Sequence, residues 1–362
     1  MLEILGWILL SIVCLILLML ITGAVWAKFI TVGEYYDETH YFQASDGWTL
    51  AIHRYIPEVK KFFEPVILCH GLGSNRFNFD LEELSLARYL RDIGFETFLV
   101  ELRGVGYSAK KSLRARDRHK YRFDDFVDKD VPAIVNKVLA ISRARKAFWV
   151  GHSMGGMIAY VAFADPEVAP KVAGAVAIAS PAKLSHLKYV QKLYPKLGWM
   201  LAPFGVLHQN VVARMWLPFV GITATPWSSF LYNPENMSTK IIRQATAKMV
   251  TPMSRRLLSQ LAQWVIKGEF KHGYRDYYTI MALNRVPFLL LASTADHMAP
   301  PDSVQLAYDK LGSSDKSIVC FGTSTNLTRF GHGDIVLSRK AKEQVYPLVA
   351  EWLEKRATLN KG

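Results

Sequence analysis

From Val66 onward the chain alternates short, unbroken apolar runs with longer stretches whose apolar residues recur every three to four positions. The unbroken runs are PVILCH (65–70), ETFLVEL (96–102), KAFWVGHS (146–153), VAGAVAIAS (172–180), VPFLLLAST (286–294) and KSIVCFG (316–322). Short apolar runs of this kind predict strands buried on both faces. Between them, 81–95, 123–141, 154–164, a stretch from Asp302 and another around 340–356 show helical spacing. Strands and helices in alternation predict a mostly parallel sheet with helices on both faces, an α/β fold. Upstream, 39–56 reads as an antiparallel hairpin turning at Asp46-Gly47. The rhythm fails between 182 and 285, which is rich in Leu, Met and aromatics, has scattered prolines and shows no strand alternation. This predicts a mostly helical insertion, placed as a lid over the crevice where open α/β sheets bind ligands.

The N-terminus is a different kind of segment. Residues 4–27 carry no charge, and a helix of about 24 residues is long enough to cross a hydrocarbon core. A cleaved signal peptide is the rival reading, with Val25-Trp26-Ala27 as its cleavage site. A signal peptide has a basic n-region and a shorter apolar stretch; here the start is Met-Leu-Glu and the run is longer, which favours a retained anchor. The expected organisation is a transmembrane anchor over 1–29, then an α/β domain over 30–362 with 182–285 as the lid.

Candidate chemistry lies where one predicted strand meets a helix. Gly151-His152-Ser153-Met154-Gly155 fits G-x-S-x-G, with a strand before it and a helix after. A turn that sharp leaves no room for side chains two residues either side of the serine, so Gly151 and Gly155 flank it. Ser153 is then the candidate nucleophile, and the N–H of Met154 opens a helix beside the reacting centre. A serine needs a base, and the base an orienting acid. Asp296, directly after the 286–294 run, and His332, in RFGHGD before the last helix, supply them in the order Ser, Asp, His. Asp165 reads as a turn residue, Asp302 as a helix N-cap, and Asp124, Asp125, Asp128 and Asp130 as acids at a helix start. His186, His208, His272 and His297 show no partner spacing. The loop His70-Gly71-Leu72-Gly73 follows the 65–70 strand; the N–H of Leu72 is the second candidate oxyanion donor, and His70 shapes the turn.

These residues resemble the α/β-hydrolase superfamily over about 40–355, through HGLG (70–73), ELRGVGYS (101–108), GHSMGG (151–156), TADHMAPP (294–301) and GHGD (331–334). FDDFVDKDVPAIV (123–135) is similar to the branch of acid lipases and polyhydroxyalkanoate-synthase-like hydrolases. The synthases use cysteine where this chain has Ser153, which favours hydrolysis over polymerisation. The resemblance implies esterase or lipase chemistry on a lipophilic ester, with no metal and no organic cofactor. Acyl transfer by the same triad, and a catalytically silent membrane scaffold, are the alternative readings.

Charge adds a partner. The net charge is +13. Residues 182–285 hold 14 Lys/Arg against Glu235, Glu269 and Asp276, a net of +11 for that segment, and 109–122 is basic as well. No nucleic-acid motif accompanies this balance, so an anionic membrane surface is the expected partner, with Trp199, Trp216, Trp227, Trp264, Tyr277 and Tyr278 as interfacial aromatics. A solvated basic face with an aromatic lid core is the alternative. Cys14, Cys69 and Cys320 have no metal or disulfide spacing and read as small hydrophobes. Lys28 after the anchor and the unpaired cysteines favour a cytoplasmic catalytic domain. Asn236-Met-Ser and Asn326-Leu-Thr match the glycosylation pattern, as chance matches do in this length. Nothing in the pattern speaks to oligomeric state.

Overall fold

The computed structural model describes residues 2–110, 120–187, 206–222, 226–324 and 328–360. Among them, eight strands form the main sheet: β1 Glu38–Gln43, β2 Thr49–Tyr55, β3 Val66–Cys69, β4 Thr97–Glu101, β5 Ala147–His152, β6 Val172–Ile178, β7 Phe288–Ser293 and β8 Lys316–Phe321. Their spatial order is β1-β2-β4-β3-β5-β6-β7-β8. The β1–β2 and β2–β4 pairs are antiparallel, and every pair from β4 to β8 is parallel. The predicted hairpin turns at Gly47, whose φ of 77° suits glycine. Strands β3, β4, β5 and β7 are buried along their whole length, which is why they read as continuous apolar runs. Strand β8 is the sheet edge and only partly buried, in keeping with its Lys316-Ser317 start.

The principal helices are α1 Leu2–Phe29, α2 Leu86–Asp92, α3 Val131–Ser142, α4 Met154–Ala162, α5 Gln209–Met215, α6 Thr239–Gln244, α7 Arg255–Lys267, α8 Tyr277–Met281, α9 Pro301–Lys310 and α10 Arg339–Glu354. The helical spacing over 81–95 is realised only as α2. Ser85 stays extended and caps that helix by accepting the Arg88 N–H, while Asp80–Leu81 and Leu84–Ser85 pair as a short ladder. Asp302 is not an N-cap: α9 starts on Pro301, and Asp302 lies in its first turn. Asp130 stands at the start of α3, as expected, but its side chain does more than begin a helix. It is fully buried and accepts hydrogen bonds from Arg103 Nε (2.8 Å), Nη2 (2.6 Å) and N–H (3.1 Å), pinning the loop after β4.

The insertion lies between β6 and β7, and its described residues include α5, α6, α7 and α8. It also contains two short antiparallel ladders, Val206–Leu207 with Met253–Ser254 and Lys271–His272 with Arg275–Asp276. Its aromatics divide. Trp264 and Tyr277, expected at a membrane interface, are buried in an edge-to-face cluster with Phe123 and Phe270. Tyr278 is half-buried and donates to the Ala182 carbonyl (2.8 Å). Trp216 is 54% exposed. Trp199, the Trp227 side chain and most of 109–122 lie outside the described residues.

Helix α1 contains an apolar span of 27 residues, Glu3–Phe29, with an 18-residue stretch of mean hydropathy 3.1 that is not buried in the protein. Its last turns pack on the insertion. A Cβ on Gly23 would come 2.2 Å from the Arg214 carbonyl oxygen, so only glycine permits this approach of α1 to α5. Lys248 Nζ donates to the Ala27 carbonyl at 3.2 Å.

Candidate active site

Strand β5 ends at His152 and α4 begins at Met154, leaving Ser153 alone at the corner with φ 53° and ψ −118°. An L-residue held there is strained by about 1–3 kcal/mol, so the surroundings must impose it. They do so through glycines: a Cβ on Gly151 would lie 2.3 Å from the Gly155 carbonyl carbon, and one on Gly155 would lie 2.3 Å from the Cys69 carbonyl oxygen. Trp149 Nε1 donates to the Gly155 carbonyl (3.0 Å), and the Ser153 N–H donates to the Ile178 carbonyl on β6 (2.9 Å).

Three sequence-predicted residues meet at this corner. His332 Nε2 lies 2.8 Å from Ser153 Oγ, and His332 Nδ1 lies 2.9 Å from Asp296 Oδ2. Asp296 follows β7 and is 1% exposed. Its other oxygen, Oδ1, accepts the N–H groups of Met298 and Ala299, each at 2.8 Å. Burial alone would raise the Asp296 carboxyl; His332 and these two donors hold it below the ordinary carboxylate range. With Asp296 ionised, Nδ1 carries the imidazole proton and Nε2 faces Ser153 as an acceptor.

Leu72 and Met154 line one narrow cavity next to the corner. Among the described residues, neither N–H donates to a protein acceptor. The 70–73 loop reaches the corner closely: a Cβ on Gly71 would come 3.1 Å from Ser153 Cβ. His70 shapes that loop as expected. Its Nε2 accepts the Leu102 N–H (3.2 Å), so Nδ1–H donates to the Gly71 carbonyl (2.8 Å). Burial pushes its imidazole down, which keeps it neutral. The rest of the cavity is mainly apolar, with Leu102, Val105, Phe126, Met253 and Leu257 among its walls.

Sequence reasoning missed the residues that hold this arrangement. His152 Nε2–H donates to the His332 carbonyl (2.8 Å), fixing the histidine loop to the elbow. Burial, reinforced by His332, pushes His152 down to about 3, so it stays neutral at any working pH. Asn78 Oδ1 accepts the Gly71 N–H at 3.0 Å, holding the 70–73 loop beside His152, whose Nδ1 lies 3.0 Å from the same oxygen. The position of His152 beside the nucleophile was a usable signal; Asn78 gave none. The insertion also reaches the site. Asp334 accepts the Asn233 N–H (2.8 Å) and Asn236 Nδ2 (2.6 Å), and Asn236 donates to the Arg329 carbonyl as well (2.7 Å). The Asn236 amide nitrogen of the glycosylation pattern is thus engaged within the fold. Gln209, at the start of α5, donates to the Thr251 carbonyl (2.9 Å), and the Thr251 N–H donates to the Gly73 carbonyl (2.9 Å).

Strand order, elbow and helix placement define an α/β hydrolase. Within that superfamily, the chain belongs to the family described as "Serine aminopeptidase, S33", which matches residues 63–324. It is similar to gastric triacylglycerol lipase of Mus musculus, 29% identical over 204 residues, covering 53% of this chain and 50% of that protein. It is also similar to triacylglycerol lipase 1 of Arabidopsis thaliana, 24% identical over 358 residues and 88% of each chain. For the first curated relatives, the matched span is half of the relative's length or less. Among solved structures, a thermophilic esterase from Thermogutta terrifontis superposes with a TM-score of 0.60 at 17% identity, over 89% of this chain and 100% of that one, a likeness of fold.

Proposed function

We propose that this protein is a membrane-anchored serine hydrolase of lipophilic carboxylic esters. The observation that carries the reading is the hydrogen-bonded line from Ser153 Oγ through His332 to Asp296, set on a strained elbow. In the proposed reaction, Ser153 Oγ attacks the ester carbonyl carbon and His332 Nε2 takes its proton. Asp296 holds the Nδ1–H tautomer and stabilises the imidazolium. The N–H groups of Leu72 and Met154 receive the oxyanion; one such donor is worth about 3 kcal/mol of barrier. His332 then protonates the leaving alcohol. Water attacks the acyl-enzyme by the same route, releasing the acid and restoring Ser153.

The residues around Leu72 and Met154 are mainly apolar, which supports a lipophilic substrate over a charged one. Arg103, the cationic residue of that cavity, has its guanidinium occupied by Asp130 and Asp46, so it does not call for an anionic substrate. The lipase names among the relatives point the same way. The proposed organisation is α1 as a retained membrane span and 30–362 as a cytoplasmic hydrolase domain with 182–285 as its lid.

The test is a series of p-nitrophenyl esters of increasing chain length, with an aminoacyl anilide alongside and Ser153→Ala as control. Expected are ester turnover that rises with chain length and vanishes in the control, and a fluorophosphonate adduct on Ser153. An unlabelled Ser153 sinks the serine mechanism. Cleavage of the anilide without the esters sinks the ester reading.

A further inference from the structure

An open groove runs between the end of α1 and the insertion, and the chemistry above does not use it. Three cations line it: Lys28, Arg214 and Lys248. Its remaining walls are apolar and mostly small, namely Leu20, Ala24, Ala27, Val211 and Ala247. Arg214 Nε and Nη2 donate to the Ala247 carbonyl (3.1 and 2.9 Å), and Lys248 Nζ donates to Ala27. Among the described residues, no carboxylate forms an ion pair with any of the three. The acids of the insertion are engaged or absent here: Glu269 pairs with Lys271, Asp276 caps α8, and Glu235 does not line the groove.

Three uncompensated cations held together repel one another, so the groove favours an anion. Its apolar walls favour an anion that carries a hydrocarbon chain. The height on α1 agrees. Lys28 ends the uncharged run, where headgroups lie, and Trp26 sits under Arg243 at 5.0 Å, as interfacial aromatics do. From Lys28 back to Leu20 is about 12 Å of helix, room for the first part of an acyl chain.

We propose that this groove binds one anionic phospholipid, its phosphate among Lys28, Arg214 and Lys248 and an acyl chain along the Leu20 side of α1. The bound lipid ties the lid to the leaflet on which it rests. This inference rests on α1 being a retained membrane span.

The experiment uses the full chain in nanodiscs of phosphatidylcholine with one part in five phosphatidylglycerol, extracted into mild detergent and read by native mass spectrometry. Wild type should retain one phosphatidylglycerol and no stoichiometric phosphatidylcholine. Lys28→Gln and Lys248→Gln should each weaken retention about fivefold. The Lys28 variant disturbs no hydrogen bond named here, and matched melting temperatures establish that each variant is folded. Equal retention of phosphatidylglycerol in wild type and both variants overturns the groove. Displacement of the lipid by millimolar inorganic phosphate or glycerol phosphate overturns the lipid assignment, since a free phosphate would then suffice. The same spectra weigh the chain: loss of the first 27 residues fails the anchor, whereas an intact anchor with charge-insensitive lipid fails the groove alone.

Discussion

The elbow at Ser153 and the insertion segment 226–249 border the same site, yet they are held to different degrees. Around Ser153 the constraints are backbone atoms and missing side chains: Gly151 and Gly155 touch main chain, and the serine amide joins β6. The insertion meets the site through a few separate contacts: Asn233 and Asn236 on Asp334 and Arg329, the Gly333 N–H on the Leu231 carbonyl (2.8 Å), and Gly331 pressed against the backbone of Tyr232 and Asn233. An elbow built into a continuous sheet cannot be loosened by degrees, whereas a few hydrogen bonds between two loops can break and re-form. The contrast teaches where each task resides. The sheet fixes the triad geometry, and the insertion touches it only from outside.

The largest effects should come from the sheet side. Ser153→Ala and His332→Ala should each lower kcat on the order of 10^4 to 10^6, and the double variant little further, because the pair acts as a unit. Asp296→Asn should cost about 10^4 by upsetting the histidine tautomer. Steady-state kinetics on a soluble ester reads all of these. Near-additive losses would separate Ser153 from His332 and break the contrast at its centre.

Next come the glycines. Gly155→Ala drives a methyl into the Cys69 carbonyl and should cost about 3 kcal/mol or prevent folding. Gly268→Ala, at the end of α7 in the insertion, has φ 67° but open space, with Ser185 Cβ at 3.6 Å; it should cost about 1 kcal/mol. Denaturant melts of both compare the two regions directly. Equal costs would mean that the elbow yields as readily as the lid.

The same division explains what could be read from the chain. Strands β3 to β7 announced themselves because burial on both faces removes polar residues, and Gly151 and Gly155 marked the elbow because no other residue fits there. Asp296 and His332 followed from their places after β7 and β8. Side-chain contacts across long separations left no such mark. Asp130 read as a helix-start acid, and nothing in the pattern showed that Arg103, 27 positions away, binds it. Trp264 and Tyr277 looked interfacial because a helical insertion gives no sign of which aromatics face inward. The packing of Gly23 on α5 was invisible for the same reason.

Asp334 offers a titration of the lid side alone. Burial raises its carboxyl to about 6, against the pull of Asn236 and Asn233, so the folded protein holds this proton more tightly than the unfolded chain. The sign follows: the stabilising contribution is complete below pH ~3.8 and is lost as pH rises through ~6. Between pH 4 and 7, wild type should lose up to about 3 kcal/mol relative to Asp334→Asn. Thermal melts of the pair across that range measure it. A difference that does not change with pH would mean the lid contact does not depend on protonation.

The smallest effect on chemistry should come from removing α1. No atom of residues 1–29 touches Ser153, His332, Asp296 or the 70–73 loop among the contacts described, so hydrolysis of a soluble short-chain ester should fall by a few-fold at most. The truncated domain should still melt earlier, because α5 loses the helix against which it packs and Lys248 loses the Ala27 carbonyl. Removing one modest hydrogen bond and part of a helix contact costs about 1–2 kcal/mol, a shift of a few degrees in a domain of this size. A loss of activity as large as that of Ser153→Ala, in a protein that still melts cooperatively, would place α1 inside the catalytic unit. An unchanged melting temperature would instead mean that the α1–α5 contact contributes nothing to stability, and that the lid stands on the sheet side alone.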